Sequence, residues 1–120
     1  MDGFAGWIGI AGTTSGQGRA RLELEAEERH LNPAGTLHGG VLATLVDTAM
    51  GQAVRSVVDG QTPATSQLTI AYLKPGSEGR LVASAEVRQQ GEQVLVCEAS
   101  VEQDGELLVT ALATFALVQR

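Results

Sequence analysis

The sequence predicts an α+β fold in which an antiparallel β-sheet wraps around one long central α-helix. Three observations carry this. One segment, 41–58, is long, mostly apolar and free of proline. A single alternating segment precedes it, and four strand-like segments separated by short turns follow it. A lone helix that is more hydrophobic than a surface helix needs a sheet that curls, because a flat one would leave most of its circumference wet.

In chain order, Phe4, Trp7, Ile8 and Ile10 recur at near-helical spacing, predicting a short packed N-terminal turn or helix before a Gly-rich break at 12–18. Residues 19–27 alternate, with Ala20, Leu22, Leu24 and Ala26 on one face and Arg19, Arg21, Glu23, Glu25 and Glu27 on the other. That is a strand with one wet face. Asn32 to Gly40 reads as a loop. The helix at 41–58 makes about five turns. Thr44, Thr48, Gln52 and Arg55 form a polar stripe along it, leaving Val41, Leu42, Leu45, Val46, Ala49, Ala53 and Val57 to cover the rest. After a turn at Asp59-Gly60 come strands at 62–73, 80–90, 93–103 and 106–119. The breaks are Lys74-Pro75-Gly76, Gly91 and Asp104-Gly105, the last favouring a type I′ hairpin. Strands joined so tightly are expected to be antiparallel neighbours. The order matches the hotdog fold. A small sheet on one helix leaves an edge strand and part of the helix exposed, so dimerisation is expected.

The 120 residues make one domain, 1–120, with no room for a second. A formal charge of -6 argues against a nucleic acid or an anionic membrane as partner, and 3% aromatic content offers no stacking platform for single strands. Cys97 stands alone in a Val-rich run and reads as a buried, inert thiol. No segment has the roughly 18 uninterrupted apolar residues of a membrane span, and no leader is evident, so a cytoplasmic location is expected. His30 and His38 are separated by a loop, and His30 follows an acidic run that reads as a solvated strand end, so no metal site is expected. The glycines of 12–18 lack the Lys-Ser/Thr ending of a phosphate loop. No cofactor is expected.

The chemistry centres on the helix entry. Gly39 and Gly40 lack Cβ atoms and let a ligand approach amides that a helix leaves unpaired, a setting that suits an oxygen gaining negative charge. Asp47 is the only acidic residue in the helix, at the margin of its polar stripe. Partial desolvation there would increase its basicity. Composition leaves open the alternative of a carboxylate that faces solvent or pairs with Arg55. Gly39 and Asp47 lie eight positions apart, about 12 Å along a helix, which one chain does not easily bring onto one carbonyl. If they act together, two helices meet across a twofold axis and each site takes one residue from each protomer.

Asn32, Gly35-Thr36, His38-Gly39-Gly40 and Asp47, followed by Leu68-Thr69-Ile70-Ala71-Tyr72-Leu73-Lys74-Pro75, resemble the hotdog acyl-CoA thioesterases of the phenylacetate-pathway (PaaI-like) branch. The likeness runs from about Gly9 to the C-terminus. It implies hydrolysis of aryl- or medium- to long-chain acyl-CoA, with Asp47 as general base or nucleophile and the Gly39 amide polarising the thioester carbonyl. It implies further that Asn32 helps hold that carbonyl, that Thr65 assists the acid, and that His38 and Gly40 support the loop. The resembled proteins are homo-oligomers, commonly tetramers, with a dimer as the minimal active unit. For the phosphates of CoA, the basic residues between helix and third strand candidate are Arg55, Lys74, Arg80 and Arg88. Small aliphatic residues such as Val41, Leu42, Leu45 and Met50 would line the acyl pocket. A thioester needs only a carboxylate and an oxyanion hole, and no Gly-x-Ser-x-Gly elbow is present. Two rivals remain: a hotdog dehydratase or hydratase relying on His38, and a non-catalytic acyl-CoA binding protein.

Overall fold

A computed structural model describes residues 1–119. Its elements are α1 (Gly3–Ile8), β1 (Ala11–Gly16), β2 (Arg19–Ala26), a 3-10 turn (Glu28–His30), α2 (Gly39–Arg55), β3 (Gln61–Tyr72), β4 (Gly79–Gln90), β5 (Val94–Gln103) and β6 (Glu106–Gln119). The strands form one antiparallel sheet in the order β1-β2-β4-β5-β6-β3, wrapped around α2. Helix and sheet share one core. Leu45, Met50 and Val54 of α2 are fully enclosed, as are Leu22, Leu81, Leu95 and Val109 from the sheet. The alternation expected in β2 holds, with Ala20, Leu22, Leu24 and Ala26 buried. Cys97 is also in this core, where burial pushes its thiol up to about 11 and keeps it protonated. No helix among the described residues is long and apolar enough to cross a membrane.

Three features depart from the sequence-based expectation. The Gly-rich stretch is a strand: β1 pairs with β2 through a two-residue turn whose Gln17 (φ 54°) and Gly18 (φ 78°) both lie in the left-handed region. Every residue of β1 is exposed, so it carries none of the apolar alternation that marks a half-buried strand. Helix α2 starts two residues earlier than expected and ends at Arg55, three residues short. The third departure is topological. β3 and β4 are consecutive in sequence and joined by six residues, yet β5 and β6 lie between them and β3 pairs with β6 at the far edge. Pro63 fits that edge, since a proline cannot donate to a second ladder.

The crossing segment 73–78 has its own anchors. Leu73 and Lys74 N–H donate to the Leu108 carbonyl at 2.8 and 3.3 Å, and Leu37 N–H donates to the Gly76 carbonyl at 3.0 Å. Buried Gln103 brackets Ser77, accepting from its N–H at 3.0 Å and donating to its carbonyl at 2.7 Å. Gly76 is buried, and a Cβ there would collide with the side chains of Leu37 and Leu108. Short length alone therefore does not make two strands neighbours, because side-chain and backbone partners of the linker can carry it over the end of the sheet. The Asp104-Gly105 turn behaves as expected, with φ of 51° and 79° at its two central residues.

Gly76→Ala should destabilise the fold by about 1–3 kcal/mol through overpacking against Leu37 and Leu108. A urea titration checks this, and a midpoint equal to wild type would show that the crossing segment has slack.

Candidate active site

The site begins in the loop before α2. Asn32 shapes it: Oδ1 accepts from the N–H groups of Ala34 at 2.9 Å and Thr36 at 3.2 Å, and Nδ2 donates to Thr36 Oγ1 at 2.9 Å. One N–H of the Asn32 amide remains beyond the one given to Thr36. His38 then caps the helix. Its backbone is extended (φ -62°, ψ 132°), its Nδ1 accepts from the Gly40 N–H at 2.8 Å and its carbonyl from the Val41 N–H at 3.0 Å. These bonds leave the Gly39 N–H without a hydrogen bond among the described residues, at the end of the helix where the dipole favours negative charge.

His30, expected at a solvated strand end, is buried instead. Its Nδ1 accepts from the Glu27 N–H at 2.8 Å, so the ring proton sits on Nε2 and is donated to the Ile8 carbonyl at 2.6 Å. Its own carbonyl accepts from the His38 N–H at 2.9 Å. One residue thus ties α1, the end of β2 and the site loop together. The acidic run around it hid this, because the partner that draws it inward lies 22 residues away.

The structure brings Asp47 and Thr65 together: Thr65 Oγ1 donates to Asp47 Oδ1 at 2.6 Å. Asp47 is half-buried, and its second oxygen has no hydrogen bond among the described residues. Arg55 is not its partner. The meeting depends on an irregularity in β3. Leu68, Ile70 and Tyr72 pair with buried Ala113, Ala111 and Val109, so they face the helix, and regular alternation would turn Thr65 outward. A bulge between Thr65 and Gln67 inserts Ser66 as an extra residue and returns Thr65 to the inner side, opposite buried Phe115.

Tyr72 stands in the strand that carries the resemblance, but the sequence assigned it no role. Its hydroxyl donates to the Gly39 carbonyl at 2.9 Å, and its ring lies where a Cβ on Gly39 would touch it at 3.4–3.6 Å. Strand β3 is therefore pinned to α2 twice, at Gly39 and at Asp47. No local pattern could announce a pair 33 residues apart. Gly39, Gly40, Leu42, Tyr72, Lys74 and neighbouring residues line an open cleft of about 490 Å³. Leu45 and Met50, expected in the acyl lining, are fully enclosed core residues and do not line this cleft, whereas Leu42 does.

Gly39 and Asp47 do not converge within one chain, since eight helical residues set them about 12 Å apart. The four basic residues are not gathered either. Lys74 lies in the cleft and pairs with Glu106; Arg80 pairs with Glu23 at 2.7 Å, and Arg88 with Glu98 at 2.7 Å. Hydrogen bonds from Arg80 and Lys74 hold the carboxyls of Glu23 and Glu106 below their ordinary range. Arg55 is exposed and has no carboxylate within ion-pair distance among the described residues. Tyr72→Phe should cost at most about 1 kcal/mol of stability, as expected for one partly exposed hydrogen bond; a larger loss by thermal melting would mean that the ring orders the helix entry as a whole.

Comparison with known proteins supplies the context. Residues 34–110 match the model of the thioesterase superfamily. The chain is 37% identical over 93 residues to the acyl-coenzyme A thioesterase PaaI of Escherichia coli K12, covering 77% of this chain and 65% of that protein. It is 37% identical over 76 residues to human acyl-coenzyme A thioesterase 13, covering 62% and 54%. The chain spans about half to two thirds of the length of the curated relatives it matches. Among solved structures, a conserved protein of Pseudomonas aeruginosa superposes with a TM-score of 0.94 at 28% identity, covering 98% of this chain and 95% of that one. The E. coli PaaI protein from the phenylacetic acid degradation operon superposes with a TM-score of 0.90 at 31% identity, covering 98% and 85%.

Proposed function

Because the chain belongs to the thioesterase superfamily, we propose that it hydrolyses acyl-CoA thioesters to the free acid and CoA, at sites that each draw Gly39 from one protomer and Asp47 from its partner. The observation that carries this reading is the Thr65–Asp47 hydrogen bond, which fixes one carboxylate oxygen and leaves the other for the reaction. Similarity to two acyl-coenzyme A thioesterases supports the substrate class.

In this reading the thioester carbonyl oxygen accepts from the Gly39 N–H and from the remaining N–H of Asn32. The free oxygen of Asp47 takes a proton from water as the water oxygen adds to the carbonyl carbon, or attacks that carbon itself to give a mixed anhydride that water then hydrolyses to the free acid and Asp47. The negative charge that develops on the carbonyl oxygen is met by the amide and the helix dipole, and collapse breaks the C–S bond and releases CoA thiolate. His38 keeps the helix cap through its Nδ1, which is a supporting part. Arg55, Lys74, Arg80 and Arg88 are the cations available to CoA phosphates, with Lys74 in the same cleft as Gly39.

The shared site follows from the 12 Å separation and from the exposed edge of β3. Two copies joined through that edge about a twofold axis would place each α2 beside the other, antiparallel, and set Gly39 of one across from Asp47 of its partner.

Asp47→Asn should retain the fold and lower turnover by about 10²–10⁴ in a thiol-release assay, the range for loss of a positioned base; unchanged kcat would remove Asp47 from the mechanism. Gly39→Pro is the matching test of the amide. Position 39 is the first residue of α2 and His38 is already extended, so proline deletes the N–H with the helix kept. Turnover should fall by roughly 10²–10³.

Mixing these two inactive variants tests the sharing. A heterodimer of Gly39→Pro and Asp47→Asn contains one site with both residues intact, so up to half of the wild-type activity should return per heterodimer. No recovery despite confirmed subunit exchange would place each site within a single chain.

A further inference from the structure

The chain has one Trp, one Tyr and two Phe, and it places Trp7 and Phe4 on α1 with 74% and 63% of their surface exposed. Their rings stack 6.0 Å apart at 30°. They line a second cleft of about 530 Å³ together with Arg29, with His38 of the site loop and with Gly40, Val41 and Thr44 of α2. Gly40 lines this cleft and the one holding Tyr72 and Lys74. The two clefts therefore share a lining residue at the helix entry, next in sequence to Gly39.

The polar residues around the second cleft have been turned toward the protein's own backbone. Thr44 Oγ1 donates to the Gly40 carbonyl at 2.7 Å, and His38 Nδ1 accepts from the Gly40 N–H. Both nitrogens of His30 are used on Glu27 and Ile8, and Arg29 donates to the carbonyls of Trp7 and Ile8 at 3.3 Å each. What remains for a ligand is chiefly aromatic face, the Val41 side chain and the Thr44 methyl, with His38 Nε2 and the exposed side of the Arg29 guanidinium as the polar exceptions. The same bonds lock α1 to the site loop, and buried Ile8 and Ile10 anchor it to the core. The cleft is thus held at a set distance from Gly39.

We infer that the Phe4–Trp7 cleft receives the apolar acyl group of the thioester, an alkyl chain or an aromatic ring, while the CoA portion leaves through the cleft on the Lys74 side. This rests on the thioesterase reading and adds the binding surface for the acyl group. A carbonyl placed at the Gly39 N–H has on one side a mainly apolar space, whose one cation, Arg29, is engaged by Glu27 and by the Trp7 and Ile8 carbonyls, and on the other a space that holds Lys74, which matches the two ends of the substrate. Phe4 and Trp7 are then specificity-determining residues.

Trp7 is the only tryptophan, so its emission reports on the cleft directly. The wild-type protein is titrated with a non-hydrolysable thioether analogue of octanoyl-CoA and, separately, with CoA alone. The expected result is a saturable blue shift with the analogue and none with CoA. In parallel, Phe4→Ala should lower the ratio of kcat/KM for octanoyl-CoA or benzoyl-CoA over acetyl-CoA by roughly tenfold, the scale on which apolar contacts discriminate between substrates. An unmoved emission from protein that hydrolyses octanoyl-CoA overturns the acyl cleft and leaves the thioesterase reading standing. A saturable shift without hydrolysis of any acyl-CoA supports the cleft and overturns the thioesterase reading, and neither signal overturns both. Emission that follows protein concentration, with Phe4→Ala changing the sedimentation coefficient, would assign the aromatic face to contact between copies and overturn the inference.

Discussion

Helix α2 carries Leu45, Val46, Ala49, Met50, Ala53 and Val54 without any exposed surface, and burying so much of one helix is the demand the rest of the chain meets. Each large member of that set is worth about 1.5–3 kcal/mol when removed from water. No flat layer can reach so much of a helix, so the sheet bends around it. The part of α2 that the sheet leaves half-open includes Val41, Thr44, Asp47, Thr48, Gly51 and Gln52. The carboxylate lies on this side because a charge in the enclosed part would have no compensating partner.

The position of β3 follows from the same demand. It closes the sheet at the far edge, over the side of the helix that carries Gly39 and Asp47, and two side chains pin it there. Thr65 and Tyr72 are seven residues apart, a spacing that would put them on opposite faces of a regular strand. The bulge at Ser66 reconciles them. A local defect in the ladder thereby serves both pins, the hydroxyl on the carboxylate and the ring on the glycine.

Around the helix entry, polar groups are consumed by backbone partners almost without remainder. Asn32 closes its loop, His38 caps α2, His30 joins three segments and Thr44 returns to Gly40. Among the exceptions, alongside His38 Nε2, are three groups of particular interest: the Gly39 N–H, one N–H of Asn32 and one oxygen of Asp47. An amide, a second amide and a carboxylate oxygen are the groups that acyl transfer from a thioester requires.

Much of this was legible in the amino-acid order alone. Alternation in 19–27 and the long apolar run after Gly40 identify β2 and α2, and Asp104-Gly105 identifies the β5–β6 turn, because those signals act between residues a few positions apart. The motif Asn32, His38-Gly39-Gly40 and Asp47 pointed to thioester chemistry, and its resemblance supplied Thr65. Only the tertiary structure decided that the exposed glycine-rich stretch is a strand, that β3 lies at the opposite edge from β4, that His30 is buried and that Tyr72 holds Gly39. Each of these depends on a partner distant in sequence: β1 on β2, segment 73–78 on Leu108 and Gln103, His30 on Ile8, and Tyr72 on Gly39. Local sequence records the propensity of a segment, whereas a long-range contact exists only once the core has brought both ends together.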